Sequence, residues 1–305
     1  VKDSEIYTKL QAEISGNIDG ADVVLTQNGA VMKVQMVDTG NLINYVPASV
    51  ASNIDGADKV PLVQQYIDKL FIFNTVGSNV PAITNVWQLT EPAMKGRVFF
   101  KSPETEKVNE NFLIMLTNKT WADKLAKAYK NLYGKDIQLG SYKNAGYKWI
   151  AEFLHNCSFG NTDTTIAEQI SNAEASGKIG LFVLSKLRSK TVRTENLEVA
   201  SYYADGKNTT VDPFAGFMYP LYAQIVKTTT MPYTSMLFVE HLVSPAGFAP
   251  WGKDIGAYSS NTSIPVNKGD QPLSYWKTRL VMDDPEYINE AYADVFEFIS
   301  KNLTK

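Results

Sequence analysis

Short strand-like runs alternate with amphipathic, helix-like segments along the chain, and this alternation constrains the fold more than any other feature. Runs of strand length occur at Leu70–Phe73, Arg97–Phe100 and Ile179–Leu184. Helical periodicity occurs between them, as over Trp121–Tyr133, where Gly134 follows as a stop. Because strands that alternate with helices are typical of α/β proteins, the pattern predicts an α/β fold with mainly parallel sheets. The other predicted elements are a strand at Asp22–Thr26 and helices at Ser4–Ser15, Val31–Thr39, Thr84–Leu89, Trp149–Leu154, Ile166–Ala175, Thr234–Val243 and Glu286–Asn302.

Length and charge exclude several classes of protein. The chain has 305 residues, which suggests two domains at roughly 150 residues each. Hydrophobic residues make up 44%, enough for a sizeable core, and the formal net charge of −3 lacks the basic excess of a nucleic-acid binder. No apolar run approaches the ~18 residues needed to span a bilayer. The chain opens at Val1 without an initiator methionine, so we expect a processed or truncated chain in which a missing signal segment says nothing about location.

Scarce residue types argue against most kinds of catalytic site. The chain has one cysteine, Cys157, and two histidines, His155 and His241. Cysteine-based zinc sites and HExxH sites are therefore excluded, and we expect no metal and no cofactor. Nucleotide-binding glycine loops and the GxSxG elbow are also absent. We expect Cys157 to be a small buried residue rather than a nucleophile, and the protein not to be an enzyme.

Polar residues that follow apolar runs are the candidates for a binding site. Ser185 and Lys186 directly follow the Ile179–Leu184 run, and open α/β sheets bind ligands beyond the carboxyl ends of their strands. Lys190 and Arg193 are interpreted as solvated surface. The loops after Leu25, Phe73 and Leu184 are predicted to line the same cleft. The candidate ligand-binding residues are Thr26, Gln27, Asn28, Asn74, Thr75, Ser158, Asn161, Thr162, Asp163, Thr164, Ser185 and Lys186.

The polar segment before the Ile166 helix has two interpretations. Short polar side chains at Asn161–Thr164 can cap the helix. The free N–H groups at the start of a helix can also bind an anion or a carbonyl group. In the second case, Lys186 would add a point charge opposite those amides, which favours a carboxylate, a phosphate or a similarly polar group.

Several segments, in order, resemble the extracytoplasmic solute-binding proteins of ABC transporters, of the iron(III)/small-anion class. Trp87–Val98 reads WQLTEPAMKGRV and is similar to that family's W-x-L-T-x-P-x-x-K-G-R-V stretch. Phe238–Phe248 is similar to its F-x-x-F-L-x-S-x-E-G-Q helix and turn, and Ser263–Asn267 to the Y-P-V-N that follows. Further segments of this kind are Lys9–Glu13, Ala21–Leu25 and Gly177–Phe182.

The resemblance implies a two-lobed type II periplasmic-binding fold with hinge crossovers, whose first strand-helix-strand unit is apparently missing here. Lobe one would hold 1–74 and 213–262, and lobe two 75–212 and 263–305. A small polar or anionic solute would bind between the lobes and favour their closure. A membrane permease would be the partner, nucleic acid would not be one, and the protein would be an extracytoplasmic monomer, free in the periplasm or lipid-anchored.

Two matters stay open on the sequence. Ferric-binding members of the family carry a Tyr–Tyr pair after the cleft strand, where this chain has Ser185–Lys186, and only a shifted alignment would put Tyr202–Tyr203 there. A lysine beside a serine suits a polar organic or anionic solute better than iron. The alternative functions are an enzyme on the same fold, transferase or deaminase-like, and a ligand-sensing domain.

Overall fold

The computed structural model describes residues 3–18, 20–77, 83–200, 203–204, 207–208, 210–253 and 255–303. The α-helices in these residues are α1 (Asp3–Ser15), α2 (Lys107–Leu116), α3 (Lys119–Tyr133), α4 (Ala145–Asn156), α5 (Asp163–Ser171), α6 (Pro232–Leu242), α7 (Pro245–Phe248), α8 (Leu273–Lys277) and α9 (Pro285–Leu303). The strands are β1 (Val23–Thr26), β2 (Leu42–Ile43), β3 (Val63–Asn74), β4 (Val98–Lys101), β5 (Cys157–Gly160), β6 (Ile179–Val183), β7 (Leu197–Val199), β8 (Tyr203–Ala204), β9 (Lys207–Asn208), β10 (Gly216–Val226), β11 (Ala257–Ser259) and β12 (Val281–Met282). A π-helix occupies Val31–Val37, and 3-10 turns occupy Ala51–Asn53, Gly56–Asp58, Val86–Thr90, Pro92–Met94, Leu184–Arg188 and Thr194–Asn196.

The predicted helices and strands are present, with shifted bounds. The helix predicted at Ile166–Ala175 begins at Asp163 and ends at Ser171, so Asp163 and Thr164 belong to its first turn rather than to a preceding loop. The strand predicted at Leu70–Phe73 begins seven residues earlier, at Val63. The longest strand that the sequence did not predict is β10, which is buried along its whole length.

The chain divides into two compact units. Unit 1 holds Val1–Ile67, Tyr219–Leu273 and Asp283–Asn289, and unit 2 holds Asp68–Met218, Ser274–Met282 and Glu290–Lys305. The backbone passes from unit 1 to unit 2 within β3 and returns within β10. The lobes expected from the resemblance, 1–74 with 213–262 and 75–212 with 263–305, stay a prediction.

Unit 1 is built on antiparallel strand pairs with helices packed against them. β1 pairs with the second half of β10, in the register Val23↔Ile225, and β11 pairs with the first half of β3. The apolar core beside these strands contains Leu62, Ala223, Ile225, Val239 and Leu242. Since α6 supplies Val239 and Leu242, the apolar face of that helix covers the strands.

Unit 2 contains the parallel part of the structure. β4 lies between β5 and β6 and is parallel to both, while β6 is antiparallel to the second half of β3. The core beside them is aromatic. Phe112 of α2 stacks on Phe217 with ring centroids 4.6 Å apart and meets Phe214 and Trp149 edge-on. Aromatic pairs in such geometries add stabilisation beyond the area they bury.

The expectation of mainly parallel sheets is wrong. Among the strand pairs described, parallel pairing is confined to β4–β5, β4–β6 and β10–β12, and antiparallel pairs are more numerous. The physical reason is the two long strands β3 and β10, which each pair with several short neighbours running in the opposite direction. In the described part of the chain, no helix is both long enough and apolar enough to cross a membrane.

Candidate functional site

The three parallel strands of unit 2 end together, and the residues that follow them form one edge. The register aligns Lys101 of β4 with Gly160 of β5, and Phe100 of β4 with Leu181 of β6. Parallel strands present their carboxyl ends at the same side of a sheet, which is where ligands bind in open α/β proteins. We call the residues directly after β4, β5 and β6 the carboxyl edge of unit 2.

The chain turns sharply from β5 into α5 at this edge. A Cβ atom added to Gly160 would lie 2.5 Å from Cγ1 of Ile166, so a glycine is needed for the helix to approach the strand so closely. Thr162 then caps the helix, because its Oγ1 accepts a hydrogen bond from the backbone N–H of Thr165 at 3.0 Å. The capping interpretation is therefore correct for Thr162. Asn161 and Thr162 are exposed.

A buried ion pair holds the first residue of α5. Lys69 of β3 is 1% exposed, and its Nζ lies 3.2 Å from Oδ1 of Asp163. The same ammonium group donates to Oδ1 of Asn109 in the first turn of α2 at 2.9 Å. Lys69 therefore links the first turns of α2 and α5, which both lie at the carboxyl edge. Its positive charge offsets the negative charge of Asp163.

Asp163 also ties the start of α5 to the end of β6. The backbone N–H of Val183 donates to Oδ1 of Asp163 at 3.4 Å, a long hydrogen bond. Ser185 and Lys186 follow within the 3-10 turn Leu184–Arg188, and both are partly buried. The structure thus brings the Asn161–Thr164 segment and the Ser185–Lys186 pair to one edge. Within the described ranges, Lys186 forms no ion pair.

Other charges at this edge are already paired. Lys101, the last residue of β4, pairs with Glu106 in the loop before α2. The side chain of Asn109 donates to the carbonyl of Lys101 at 2.8 Å. Sequence reasoning missed Lys69, Lys101 and Asn109. Lys69 lies before the predicted run Leu70–Phe73, Asn109 lies in a helix that was not predicted, and Lys101, which follows the predicted run Arg97–Phe100, was not selected as a candidate.

Asn74 and Thr75 lie at the other end of the strands. In the antiparallel β3–β6 pair, Phe73 is opposite Ile179 and Lys69 is opposite Val183. The loop after β3 is therefore close to the start of β6, not to its end, and the prediction that the loops after Phe73 and Leu184 wall one cleft is wrong. Asn74 is fully buried, and its amide donates to the carbonyls of Ile170 and Asn172.

Ser158 also points away from the carboxyl edge. It lies within β5, and its hydroxyl donates to the carbonyl of Gly96, the residue two places before the start of β4. None of these three residues, Asn74, Thr75 and Ser158, lies at the same end of the strands as Ser185 and Lys186. That they contact a ligand stays a prediction.

The candidates of unit 1 follow β1. Thr26 is fully buried, and its hydroxyl is 2.6 Å from the phenol of Tyr7, which also donates to the carbonyl of Asn28. The Asn28 side chain is largely buried and accepts a 3.5 Å hydrogen bond from the N–H of Val31 at the start of the π-helix. Gln27 between them is partly buried. Thr26 and Asn28 therefore hold the loop in place.

Tyr222 packs against the same loop. A Cβ atom added to Gly29 would lie 2.6 Å from the Tyr222 hydroxyl. Burial, together with the nearby charge of Asp283, raises the pKa of Tyr222 well above its usual value. The pKa of Tyr66 is also raised, by burial and by Asp58, which accepts its hydroxyl hydrogen bond. Tyr66 and Tyr222 are therefore held in the neutral phenol form rather than as phenolates.

The described residues contain no group of three or more histidine, cysteine, aspartate or glutamate side chains arranged to hold a metal ion. Of the tyrosine pair that a shifted alignment would use, Tyr202 lies outside the described residues and Tyr203 begins β8. The absence of a bound metal stays a prediction.

No family model matches this chain, and no curated protein matches it by sequence. Similar solved structures do exist. The ferric binding protein from Campylobacter jejuni matches with a TM-score of 0.69 at 14% identity, over 99% of this chain and 89% of that one. An ABC transporter protein from Clostridium perfringens matches with a TM-score of 0.64 at 10% identity, over 99% and 90%.

A third match is the periplasmic binding protein AfuA from Actinobacillus pleuropneumoniae, described with fructose-6-phosphate bound. Its TM-score is 0.62 at 16% identity, over 98% of this chain and 86% of that one. At such low identity a likeness in structure establishes the architecture alone. The chain has the type II periplasmic-binding-protein fold, which is the fold expected from the resemblance of its sequence motifs.

Proposed function

We propose that the protein is the solute-binding component of an ABC import system and that it captures a small polar or anionic solute. The observation that carries the proposal is the meeting of two predicted segments, Asn161–Thr164 and Ser185–Lys186, at the carboxyl edge of unit 2. Ligands bind at this position in α/β proteins generally. The structures named above, which share the architecture, are described as binding or transport proteins.

The charges at this edge favour an anion or a polar group rich in acceptor oxygens. Asp163 would repel an anion, but Lys69 offsets its charge from inside the protein. Lys186 is a cation without an ion-pair partner in the described residues, and the first N–H groups of α5 lie at the same edge. An ammonium group combined with N–H donors suits a carboxylate or a phosphate.

The proposed action is binding, not chemistry. At the carboxyl edge the carboxylates of Asp163 and Glu106 are each paired with a lysine, so neither is free to act as an acid or a base. A solute would favour the closed state of the two lobes only by its higher affinity for that state. A membrane permease as partner, an extracytoplasmic location and a monomeric state belong to the same proposal.

Native mass spectrometry of the protein as purified tests this function. We expect a fraction of the molecules to carry one small polar solute, released when the protein is denatured. Adding back the identified compound should raise the melting temperature, since a ligand that binds only the folded state stabilises it. Conversion of that compound into a product on incubation with the protein would contradict the proposal. So would a wholly ligand-free protein whose melting temperature does not respond to a panel of carboxylates, phosphates and sugars.

A further inference from the structure

A cavity lies in unit 2, away from the carboxyl edge. Its volume is about 320 Å³, and Lys95, Tyr142, Glu152, His155, Asn156 and Asn302 are among the residues that line it. The backbone N–H of Gly96 donates to the carbonyl of Asn156 at 2.9 Å, which places the cavity near the start of β4 and β5. Small-molecule sites begin at about this volume. We call it the α4 cavity.

One side of the α4 cavity carries a lysine and a histidine. Nζ of Lys95 lies 3.1 Å from Nε2 of His155. A lysine ammonium group can only donate, so Nε2 of His155 is the acceptor in this contact. Both side chains are exposed, and the ammonium group keeps further N–H donors for an anion.

A carboxylate lies on the same helix as the histidine. Glu152 precedes His155 by three positions on α4, so the two side chains lie on the same face, roughly 5–6 Å apart at Cβ. Burial raises the pKa of Glu152, against a smaller opposing effect of Lys148 at 3.7 Å. An additional cation beside this half-buried carboxylate would therefore be stabilised.

Two asparagine side chains add amide oxygens as acceptors. The amide nitrogen of Asn156 donates to the carbonyls of Leu89 and Glu91, and that of Asn302 donates to the carbonyl of Phe298. Both N–H groups of Asn156 are therefore used within the protein, so its oxygen is the atom it can offer to a ligand, whereas the Asn302 amide keeps one N–H beside its oxygen. The cavity thus combines one ammonium group with a carboxylate and two amide oxygens.

We propose that the α4 cavity binds a small zwitterion, with free α-amino acids as the ligand class. The ligand carboxylate pairs with Lys95, and the ligand ammonium group pairs with Glu152 and the asparagine oxygens. The apolar part of the ligand lies against Pro92, Ala151 and the ring of Tyr142. This site does not depend on the carboxyl edge or on the solute proposed for it.

Proton NMR of the histidine rings tests the proposal directly. The chain has two histidines, so the imidazole C2–H region contains two signals, which His241→Gln assigns. The probes are glycine, L-serine and L-glutamine, with acetate and ethylammonium as ions that carry only one of the two charges. We expect at least one amino acid to shift the His155 signal saturably while the His241 signal stays in place, and the single ions to bind at least about tenfold more weakly.

Substitutions localise the binding. Lys95→Met and Glu152→Gln should each weaken the titration at least about tenfold, whereas Lys127→Met, at an exposed position of α3, should leave it unchanged. Lys186→Ala should also leave it unchanged. The proposal is overturned if no amino acid shifts the His155 signal at 10 mM, which is about the weakest binding such contacts would give. It is also overturned if Lys95→Met binds like the parent, or if Lys186→Ala abolishes the shift.

Discussion

Nζ of Lys69 and Oδ1 of Asp163 lie 3.2 Å apart in a site where the lysine is 1% exposed. The pair joins β3 to the first residue of α5, beside the segment proposed to bind the solute. A charge in such a site is tolerated only when it is paired and hydrogen-bonded, as Lys69 is with Asp163 and Asn109. The start of α5 is therefore fixed by a buried cation.

Lys69→Met should destabilise the protein, because it leaves the Asp163 carboxylate without its counter-charge. Removing one partner of a buried pair costs about 3–5 kcal/mol of the free energy of unfolding. In Lys69→Met/Asp163→Asn, which removes both charges, part of this loss should be recovered. Urea denaturation of the two variants and of Lys190→Met, an exposed control, measures these effects. If Lys69→Met were as stable as the parent, the ion pair between Lys69 and Asp163 would not be maintained in solution.

Gly160→Ala should disturb the turn from β5 into α5. The new methyl group would lie 2.5 Å from Ile166, and such overpacking typically costs about 1–3 kcal/mol. Gly56→Ala is the matched control, since an added Cβ atom there meets nothing within 4 Å. Thermal melts give the melting temperatures of the two variants for comparison with the parent. Equal melting temperatures for both would mean that α5 does not pack this closely on the strand.

Thr162→Ala should remove the cap of α5. The loss of a hydroxyl cap costs about 0.5–2 kcal/mol, and Thr162→Ser should retain most of the stability because it keeps the accepting oxygen. Thr164→Ala, two positions further along, is the control. Chemical denaturation measures the free energy of unfolding of the three variants. A larger loss in Thr164→Ala than in Thr162→Ala would contradict the assignment of Thr162 as the cap.

Cys157 should react slowly with thiol reagents in the folded protein. Burial raises the pKa of its thiol, so at pH 8 a smaller fraction is the reactive thiolate than in an unfolded chain. Because the chain has a single cysteine, the rate of reaction with a disulfide reagent reports on this one group. We expect the rate to rise in urea, which exposes the thiol and removes the effect of burial on its pKa. The residue as a whole is partly exposed, so equal rates in buffer and in urea would mean that its surroundings do not shield the thiol.

The sequence predicted the apolar part of β3 and missed the part of the same strand that carries buried polar groups. β3 reads VQQYIDKLFIFN, and only its last part, Leu70–Phe73, was predicted. Gln64, Gln65, Asp68 and Lys69 are buried in its first part, where a polar pattern normally indicates an exposed loop. Tertiary contacts such as the Lys69–Asp163 pair overrode that preference, and they are not visible in local sequence.

β10 was missed for a different reason. Its sequence GFMYPLYAQIV contains Pro220, and a proline within a run argues against a central strand because it cannot donate to the ladder. For the site, the rule that polar residues follow apolar strands identified Ser185 and Lys186, and the polar segment before a predicted helix identified Asn161–Thr164. The same rule misplaced Asn74, because β3 and β6 run in opposite directions and pairing direction cannot be deduced from single strands.

The most direct test of the proposed function is a calorimetric titration of Lys186→Ala and Lys190→Ala with the solute identified by native mass spectrometry. Lys186 is partly buried at the carboxyl edge, whereas Lys190 is exposed beyond the 3-10 turn that contains Lys186. A charge-assisted hydrogen bond is worth about 1.5–3 kcal/mol, so we expect Lys186→Ala to bind roughly ten- to a hundredfold more weakly and Lys190→Ala to bind like the parent. Parent-like binding by Lys186→Ala, or a larger loss in Lys190→Ala, would contradict the site.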